Sequence, residues 1–372
     1  MDLNKLRNEI DEIDRKIVEL IERRYEIAIG VAKYKEKNNI PIYNEAREKE
    51  VIEKNLKYIE NKEFVNEVKK TFINIMELSK DIQKRVIGSK NNLNVKEAKI
   101  IGFQGSEGSF SHEALLKYFK NYEEIKKYPS FEEVFKAINK REIEYGIVPI
   151  DNSSTGEITD TYDLIRKYGL YIVGEIAIKI EQNLLGLPGA KLEDIKEIYS
   201  HPQGFQQSRD FLDEHKEIKL VSFPNTALSA QYIKEQNDKS KAAIASLRAK
   251  EEYGLEIIVP SINSNKNNYT RFVIVGENFE KNSENNKISI VLSTPHKTGG
   301  LYKFIKKFAD NNLNMVSIKS RPIQDRPWEY FFYIDFEGNI EDENVQDTLE
   351  YFEKESGYFK FLGNYKKDDN IL

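Results

Sequence analysis

Arg24 interrupts an apolar stripe. Leu3, Leu6, Ile10, Ile13, Ile17 and Leu20 recur at spacings of three and four, a heptad seam that continues at Ile27, Val31 and Tyr34. Between Leu20 and Ile27 the seam predicts an apolar residue, and the chain has Arg24. A lone charge on a buried stripe costs several kcal/mol unless something pairs with it. Lys35 falls on nearly the same face at about 100° per residue, about 16 Å further along the axis. A later stripe, Phe72, Met76 and Val86, carries Ser79 and Gln83 where apolar side chains are expected. Cations and hydrogen-bonding groups turned inward suit a small anion. Pairing with carboxylates of a second chain, or snorkelling to solvent, accounts for the same pattern. Arg7 sits about 100° from the Arg24 face and is placed to serve a partner chain.

A second group of polar residues sits at turns. Gly102–His112, Val148–Gly156 and Tyr199–Gln207 each follow an apolar strand pattern and open a helical one, and Tyr269-Thr-Arg-Phe272 begins a late strand. Gly/Ser-rich turns at helix N-termini offer backbone N–H groups to an anion. The glycine spacing fits neither a Walker loop nor a dinucleotide fingerprint. Singly, each reads as a capped turn of an α/β domain. Together, at strand C-terminal ends, they point to one crevice.

Three kinds of segment must position these groups. Residues 1–90 read as helix throughout. The first helix is about 50 Å long, too long to bury its seam on two short helices, so an intertwined dimer is expected. The second opens near Asn44, after Pro41, and carries Arg47 and Glu48. Residues 97–278 alternate strands (Lys99–Phe103, Tyr145–Pro149, Tyr171–Ile180, Glu197–Ser200, Ala242–Ala245, Arg271–Val275) with helices, an α/β pattern. Polar linkers are expected at Gly88–Asn94 and Glu280–Asn286. Residues 286–366 read strand (288–293), helix (299–311), strand (315–321), strand (330–336), helix (342–354), strand (357–361).

Composition narrows the function classes. Charged residues make up 32% of the 372-residue chain and hydrophobic ones 39%, which suits a soluble globular protein. A net charge of −5 with no basic tract argues against nucleic acid. The absence of cysteine removes disulfides, thiolate nucleophiles and Cys-ligated metals, and the four histidines show no metal-ligand spacing. No stretch is apolar enough for a membrane span or signal region, so a cytoplasmic protein is expected.

The run Leu6-Arg7, Ile13-Asp14, Glu22-Arg23-Arg24, Lys33-Tyr34-Lys35, Pro41, Arg47-Glu48 and Ser79…Gln83 resembles the all-helical chorismate mutases. The resemblance implies that Arg24, Lys35, Asn44, Arg47, Glu48, Ser79 and Gln83 line a site with Arg7 of the other subunit. Asn44 stands where the family usually has Asp. The rearrangement of chorismate is pericyclic and needs no general acid, metal or nucleophile. Guanidinium groups would clamp the two carboxylates, Lys35 and Gln83 would donate to the ether oxygen, and Glu48 would accept from the ring hydroxyl.

The middle clusters Gly-Ser-Phe-Ser-His112, Pro-Ile-Asp151-Asn-Ser, Tyr-Ser-His-Pro-Gln203 and Asn268-Tyr-Thr-Arg-Phe272 resemble the prephenate dehydratases, with Asp151 for the usual Glu. The resemblance implies a two-lobed α/β fold like the type 2 periplasmic binding proteins. Its site would take Asn152, Ser153, Thr155, Ser200, His201, Gln203, Gln207, Thr270 and Arg271. Thr270 would protonate the leaving hydroxyl, assisted by Arg271 or nearby amides.

The last segment is similar to ACT domains, which are α+β and ferredoxin-like. Thr298-Gly-Gly-Leu301 and Lys319-Ser-Arg-Pro322 match its two short motifs, with Lys319 for the usual Glu. Gly299, Gly300, Leu301, Ser320, Arg321 and Pro322 would then bind phenylalanine at a dimer interface; a dimerisation domain without ligand is the alternative.

The expectation is therefore a bifunctional enzyme of phenylalanine biosynthesis, feedback-inhibited by phenylalanine, a homodimer or homotetramer, with no metal, cofactor, nucleic acid or membrane partner. Two rivals differ in kind. One is a monofunctional dehydratase whose helical domain only dimerises. The other is a non-catalytic phenylalanine sensor.

Overall fold

The computed structural model describes residues 2–38, 40–87, 98–154, 156–279, 281–323, 326 and 328–369. The expected linker at Gly88–Asn94 and the candidate site residue Thr155 lie outside them. The chain divides into two compact units, Met1–Asn92 with Asn139–Arg141, and Leu93–Ile138 with Glu142–Leu372.

The first unit is three helices. α1 (Leu3–Lys37) is capped by Asp2, whose carboxylate accepts from the Asn4 N–H at 3.0 Å. α2 (Glu45–Leu56) starts where Asn44 Oδ1 accepts from the Arg47 N–H at 2.9 Å. α3 (Val65–Ile87) follows a short 3-10 turn, Lys62–Phe64. Ala28 and Ala32 are the buried residues of α1, and their small side chains allow α3 to approach closely. The apolar seam of α1 is on the outside: Leu3, Ile10, Ile13, Ile17, Leu20 and Ile27 are all exposed in a single chain, Leu20 at 66%.

The second unit begins with two α/β lobes. The first holds β1 (Ile100–Gln104), α4 (Phe110–Tyr118), β2 (Glu124–Tyr128), α5 (Phe131–Asn139), β3 (Tyr145–Asn152), β4 (Gly156–Glu157), α6 (Thr159–Tyr168) and β5 (Tyr171–Lys179). The second holds β6 (Asn183–Gly186), β7 (Glu197–Ser200), α7 (Pro202–Gln207), α8 (Arg209–Asp213), β8 (Lys219–Ser222), α9 (Thr226–Gln236), β9 (Lys241–Ala245), α10 (Leu247–Tyr253) and β10 (Glu256–Val259). The chain then returns to the first lobe as β11 (Tyr269–Gly276), giving sheet orders β2-β1-β3-β11-β5 and β10-β6-β9-β7-β8. β3 and β11 are central and nearly continuously apolar, as strands covered on both faces must be. Each lobe has its own core, around Phe103, Ile147 and Ile274 in one and Leu185, Ala243 and Ile198 in the other.

The chain ends in β12 (Lys287–Ser293), α11 (Gly300–Asp310), β13 (Met315–Pro322), β14 (Tyr330–Glu337), α12 (Glu343–Glu355) and β15 (Tyr358–Tyr365), with sheet order β13-β14-β12-β15. One face of this antiparallel sheet packs Ile290, Leu292 and Phe336 against Phe304, Phe308 and Phe352 of the helices. The other face meets the first lobe. Gly363, at φ +155, lies so close to the Ile172 carbonyl that any side chain would collide with it.

Candidate functional site

Within the helical unit a cavity of about 450 Å³ is lined by Arg24, Lys35, Asn44, Arg47, Glu48, Ser79, Lys80 and Gln83, with Ile27, Ala28, Val31, Ile42, Val51 and Met76 as apolar walls. The spacing explains the convergence: Arg24, Ala28, Val31 and Lys35 share one face of α1, and Met76, Ser79, Lys80 and Gln83 share one face of α3. An Arg24 Nη1 donates to Ser79 Oγ and, at 3.4 Å, to the Ile75 carbonyl. Lys35 Nζ donates to the Ile42 carbonyl at 2.6 Å. Burial lowers both cations below their ordinary pKa, with Glu48 pulling Lys35 part of the way back. The Gln83 Oε1 atom is buried and has no hydrogen-bond partner among the described residues. Arg7 stands exposed on α1 and does not line the cavity.

Two details differ from the sequence reading. Asn44 spends its carbonyl oxygen on the α2 cap. Lys80, not singled out in the sequence, pairs with Glu48 at 2.9 Å. It stands four residues after Met76, so the polar stripe of α3 already contained the signal.

In the first lobe, antiparallel pairing sets Thr270 of β11 directly opposite Asn152 of β3. Asn152 Nδ2 donates to Thr270 Oγ1 at 2.9 Å and to Asn268 Oδ1 at 2.8 Å, and Asn152 Oδ1 accepts from the Ser154 N–H at 2.9 Å. All three of Asn152, Asn268 and Thr270 are buried. A threonine oxygen that accepts an N–H has its own O–H directed elsewhere and polarised for donation. Asn268 was not among the expected site residues, although it opens the Asn268–Phe272 stretch.

Arg271 does not stand with Thr270. Successive residues of a strand face opposite sides, so Thr270 and Arg271 part company. Arg271 Nε and Nη2 donate to Asp151 Oδ2 at 3.0 and 2.6 Å, Nη1 donates to Glu175 Oε2 at 3.1 Å, and Nη2 lies 2.8 Å from Asp335 Oδ2. Lys287 Nζ donates to Glu175 Oε2 at 2.8 Å, and Lys319 pairs with Asp151. The cluster joins β3, β5 and β11 to the C-terminal sheet. Burial opposes the Arg271 charge, but Asp335, Glu175 and the nearby tyrosines outweigh it and hold the guanidinium firmly protonated. Of the two assistants the sequence suggested for Thr270, Arg271 or nearby amides, the amide of Asn152 is the one in contact with it.

The remaining expected residues are placed as follows. Ser153 Oγ donates to the Asn267 carbonyl at 3.1 Å. Ser200 Oγ is buried and donates to the Ile244 carbonyl at 2.9 Å, with Gly204 packed onto it. His201 caps α7, its Nδ1 accepting from the Gln203 N–H at 3.2 Å. Gln207 Oε1 accepts from Gln182 Nε2 at 2.9 Å. The lobes meet where Ser246 Oγ donates to the Gly108 carbonyl at 2.8 Å and Tyr253 Oη to the Glu107 carbonyl at 2.9 Å.

In the last segment Gly299, at φ +74, precedes α11, and Gly300 lies against the Pro295 carbonyl with no room for a side chain. Leu301 is half-buried on the first turn. Along β13 exposure alternates, so Ser320 and Pro322 face outward while Lys319 and Arg321 face the first lobe. Arg321 Nη2 donates to Asp163 Oδ2 at 2.6 Å. Lys319, expected beside the ligand motif, is thus tied to Asp151, next in sequence to Asn152.

Comparison with known proteins settles the family. The chorismate mutase type II model matches residues 6–84, and the prephenate dehydratase model matches residues 101–280. The bifunctional chorismate mutase/prephenate dehydratase of Buchnera aphidicola (subsp. Acyrthosiphon pisum, strain APS) is 34% identical over 371 residues, covering 97% of this chain and 96% of that one. The chain belongs to the bifunctional chorismate mutase/prephenate dehydratase family. Two solved structures resemble this family member over about three quarters of its length, each with a TM-score of 0.66. One is a prephenate dehydratase from Arthrobacter aurescens in complex with L-Phe, 29% identical, covering 73% of this chain and 90% of that one. The other is GqqA, described as a quorum quenching acylase, 26% identical, covering 74% of this chain and all of that one.

Proposed function

We propose that this chain rearranges chorismate to prephenate in the helical cavity and converts prephenate to phenylpyruvate in the α/β lobes, two steps toward phenylalanine. The observation that carries the mutase reading is the convergence of Arg24, Lys35, Glu48, Ser79 and Gln83 on one cavity. Chorismate needs clamping in its chair form and stabilisation of negative charge growing on the ether oxygen. Arg24 supplies a guanidinium for a carboxylate, Lys35 and Gln83 donate to the ether oxygen, and Glu48 accepts from the ring hydroxyl. Asn44 and Arg47 line the mouth. The exposed α1 seam supports a homodimer in which Arg7 of one chain completes the cavity of the other.

For the dehydratase, Thr270 gives its proton to the leaving hydroxyl, which departs as water. The ring carboxylate leaves as carbon dioxide, and its bonding electron pair enters the ring, which becomes aromatic. One proton from solvent restores Thr270. Asn152 holds the Thr270 oxygen so that its O–H points outward, and Ser153, Ser200, His201, Gln203 and Gln207 bind the carboxylates and hydroxyl, a set that the sequence motif extends to Thr155.

The C-terminal segment is read as an ACT domain, ferredoxin-like in its strand order, that binds phenylalanine through Gly299, Gly300 and Leu301 with Ser320 and Pro322 and inhibits the dehydratase. The L-Phe complex of the Arthrobacter aurescens relative supports this reading. Among the described residues no helix is long and apolar enough to cross a membrane, and the cytoplasm is the proposed location.

A coupled assay tests both activities. Chorismate is consumed, phenylpyruvate accumulates, and added phenylalanine slows the second step. Thr270→Ala lowers dehydratase kcat about 10²- to 10⁴-fold and leaves chorismate consumption intact. A protein that consumes prephenate but never chorismate would instead be a dehydratase with a dimerising helical domain.

A further inference from the structure

Lys80 is a cation of the mutase cavity to which neither the sequence motifs nor the family match gives a role. Its Nζ lies 2.9 Å from Glu48 Oε1, with side-chain exposures of 16% for Lys80 and 27% for Glu48. The same ammonium stands 5.2 Å from the centre of the Tyr43 ring. The pair bridges α2 and α3, and both members line the cavity beside Arg24, Lys35, Ser79 and Gln83.

A carboxylate has two oxygens and about four acceptor positions. With Oε1 held by Lys80, the plane of the Glu48 carboxylate is fixed and Oε2 is left for a donor in the cavity. Asn44 is the weaker acceptor here, because it is uncharged and its oxygen already caps α2. A dianionic substrate also meets Glu48 as a like charge, and an adjacent ammonium neutralises that repulsion. We infer that Lys80 is a positioning and specificity residue of the mutase, orienting Glu48 to accept the ring hydroxyl of chorismate. The inference rests on the mutase reading above and adds a residue to it.

The competing role is a plain tie between α2 and α3. The two roles separate by substrate, because the ring hydroxyl takes no part in the bond changes. An analogue lacking that hydroxyl still breaks the same C–O bond and forms the same C–C bond. Turnover of both compounds by the unaltered full-length enzyme is measured first and tests the mutase reading by itself. Lys80→Met, which keeps the apolar stem, is then compared on both. Expected is a loss in kcat/KM of about 10- to 100-fold on chorismate, the range for a hydrogen bond to a charged group. On the analogue the loss stays below about twofold, and Lys80→Arg recovers most of the chorismate rate. Retained turnover of the analogue shows that the helical cavity is folded, and unchanged prephenate turnover shows the same of the second unit. Equal losses on both substrates, or no loss on chorismate, overturn the inference.

Discussion

Replacing Arg271 by Met decides whether that residue serves chemistry or architecture. Three cations, Arg271, Lys287 and Lys319, face three carboxylates, Asp151, Glu175 and Asp335, across the junction of the first lobe and the C-terminal sheet. Lys287 and Glu175 are almost fully buried, and Asp335 has an exposure of 3%. Charges at that depth are tolerable only as a neutral set. Arg271→Met leaves three carboxylates against two ammonium groups. Breaking a buried pair from one side costs about 3–5 kcal/mol. For a unit of this size that corresponds to a fall in Tm of roughly 5–9 °C, read by calorimetry on the full chain. Adding Asp335→Leu restores the balance at two against two and should return more than half of the loss, although either change alone is damaging. Dehydratase kcat, measured well below the new Tm, should fall by less than about threefold, because Asn152 rather than Arg271 holds Thr270. A variant with unchanged Tm and a kcat lowered about a hundredfold would refute this reasoning and return Arg271 to the catalytic site.

Four shorter expectations follow. Asn152→Leu removes the N–H donor from Thr270 Oγ1 and should lower dehydratase kcat at least about tenfold, with chorismate turnover unaffected; an unchanged kcat would break the link between these two residues. Burial lowers the Lys35 pKa, so its ammonium is lost at a pH below the ordinary lysine range, and mutase kcat/KM should decline there as pH rises. Lys35→Arg should move that alkaline limb upward, and a limb that stays in place assigns the titration elsewhere. The paired change Ile13→Glu and Leu20→Glu charges the exposed seam and should give a monomer by sedimentation velocity with mutase activity lost; a persistent dimer would mean the seam is not the interface. Ala32→Leu overpacks the fully buried contact between α1 and α3 and should cost about 1–3 kcal/mol in denaturant unfolding, against near-zero effect for Glu36→Ala, which is exposed.

What the sequence made legible follows from what periodicity can see. Long elements with strong patterns were readable: α1 with its seam, the apolar centre of β3, and the strand and helix spans of the last segment within a few residues. β2 and β8 were missed as edge strands: EIKKY is rich in charge, and KLVS has only two apolar residues in four. Charges on an edge deter pairing with other chains and erase the signal at the same time. β10, EIIV, is also an edge, and its four residues are too few to stand out.

The candidate sites show the same division between what lies along the chain and what lies across it. Arg24 and Lys35 stood out as candidates because a charge on an apolar helix stripe is an internal contradiction that needs no second element to be noticed. Arg271, offered with nearby amides as an assistant to Thr270, shows that adjacency in a motif is not adjacency in space. Thr270 and Arg271 are consecutive, and in a strand that guarantees opposite faces. Applied to the motif, the alternation rule alone would have separated them. It would not have supplied the partners: Glu175 is 96 residues away and Asp335 is 64, and only the folded sheets bring them to one guanidinium. The same alternation, on β13, turns Lys319 and Arg321 inward and leaves Ser320 and Pro322 outward, so a four-residue motif is divided between two surfaces. One surface is free for a ligand or a second chain. The other carries Lys319 to Asp151, on the strand that holds Asn152.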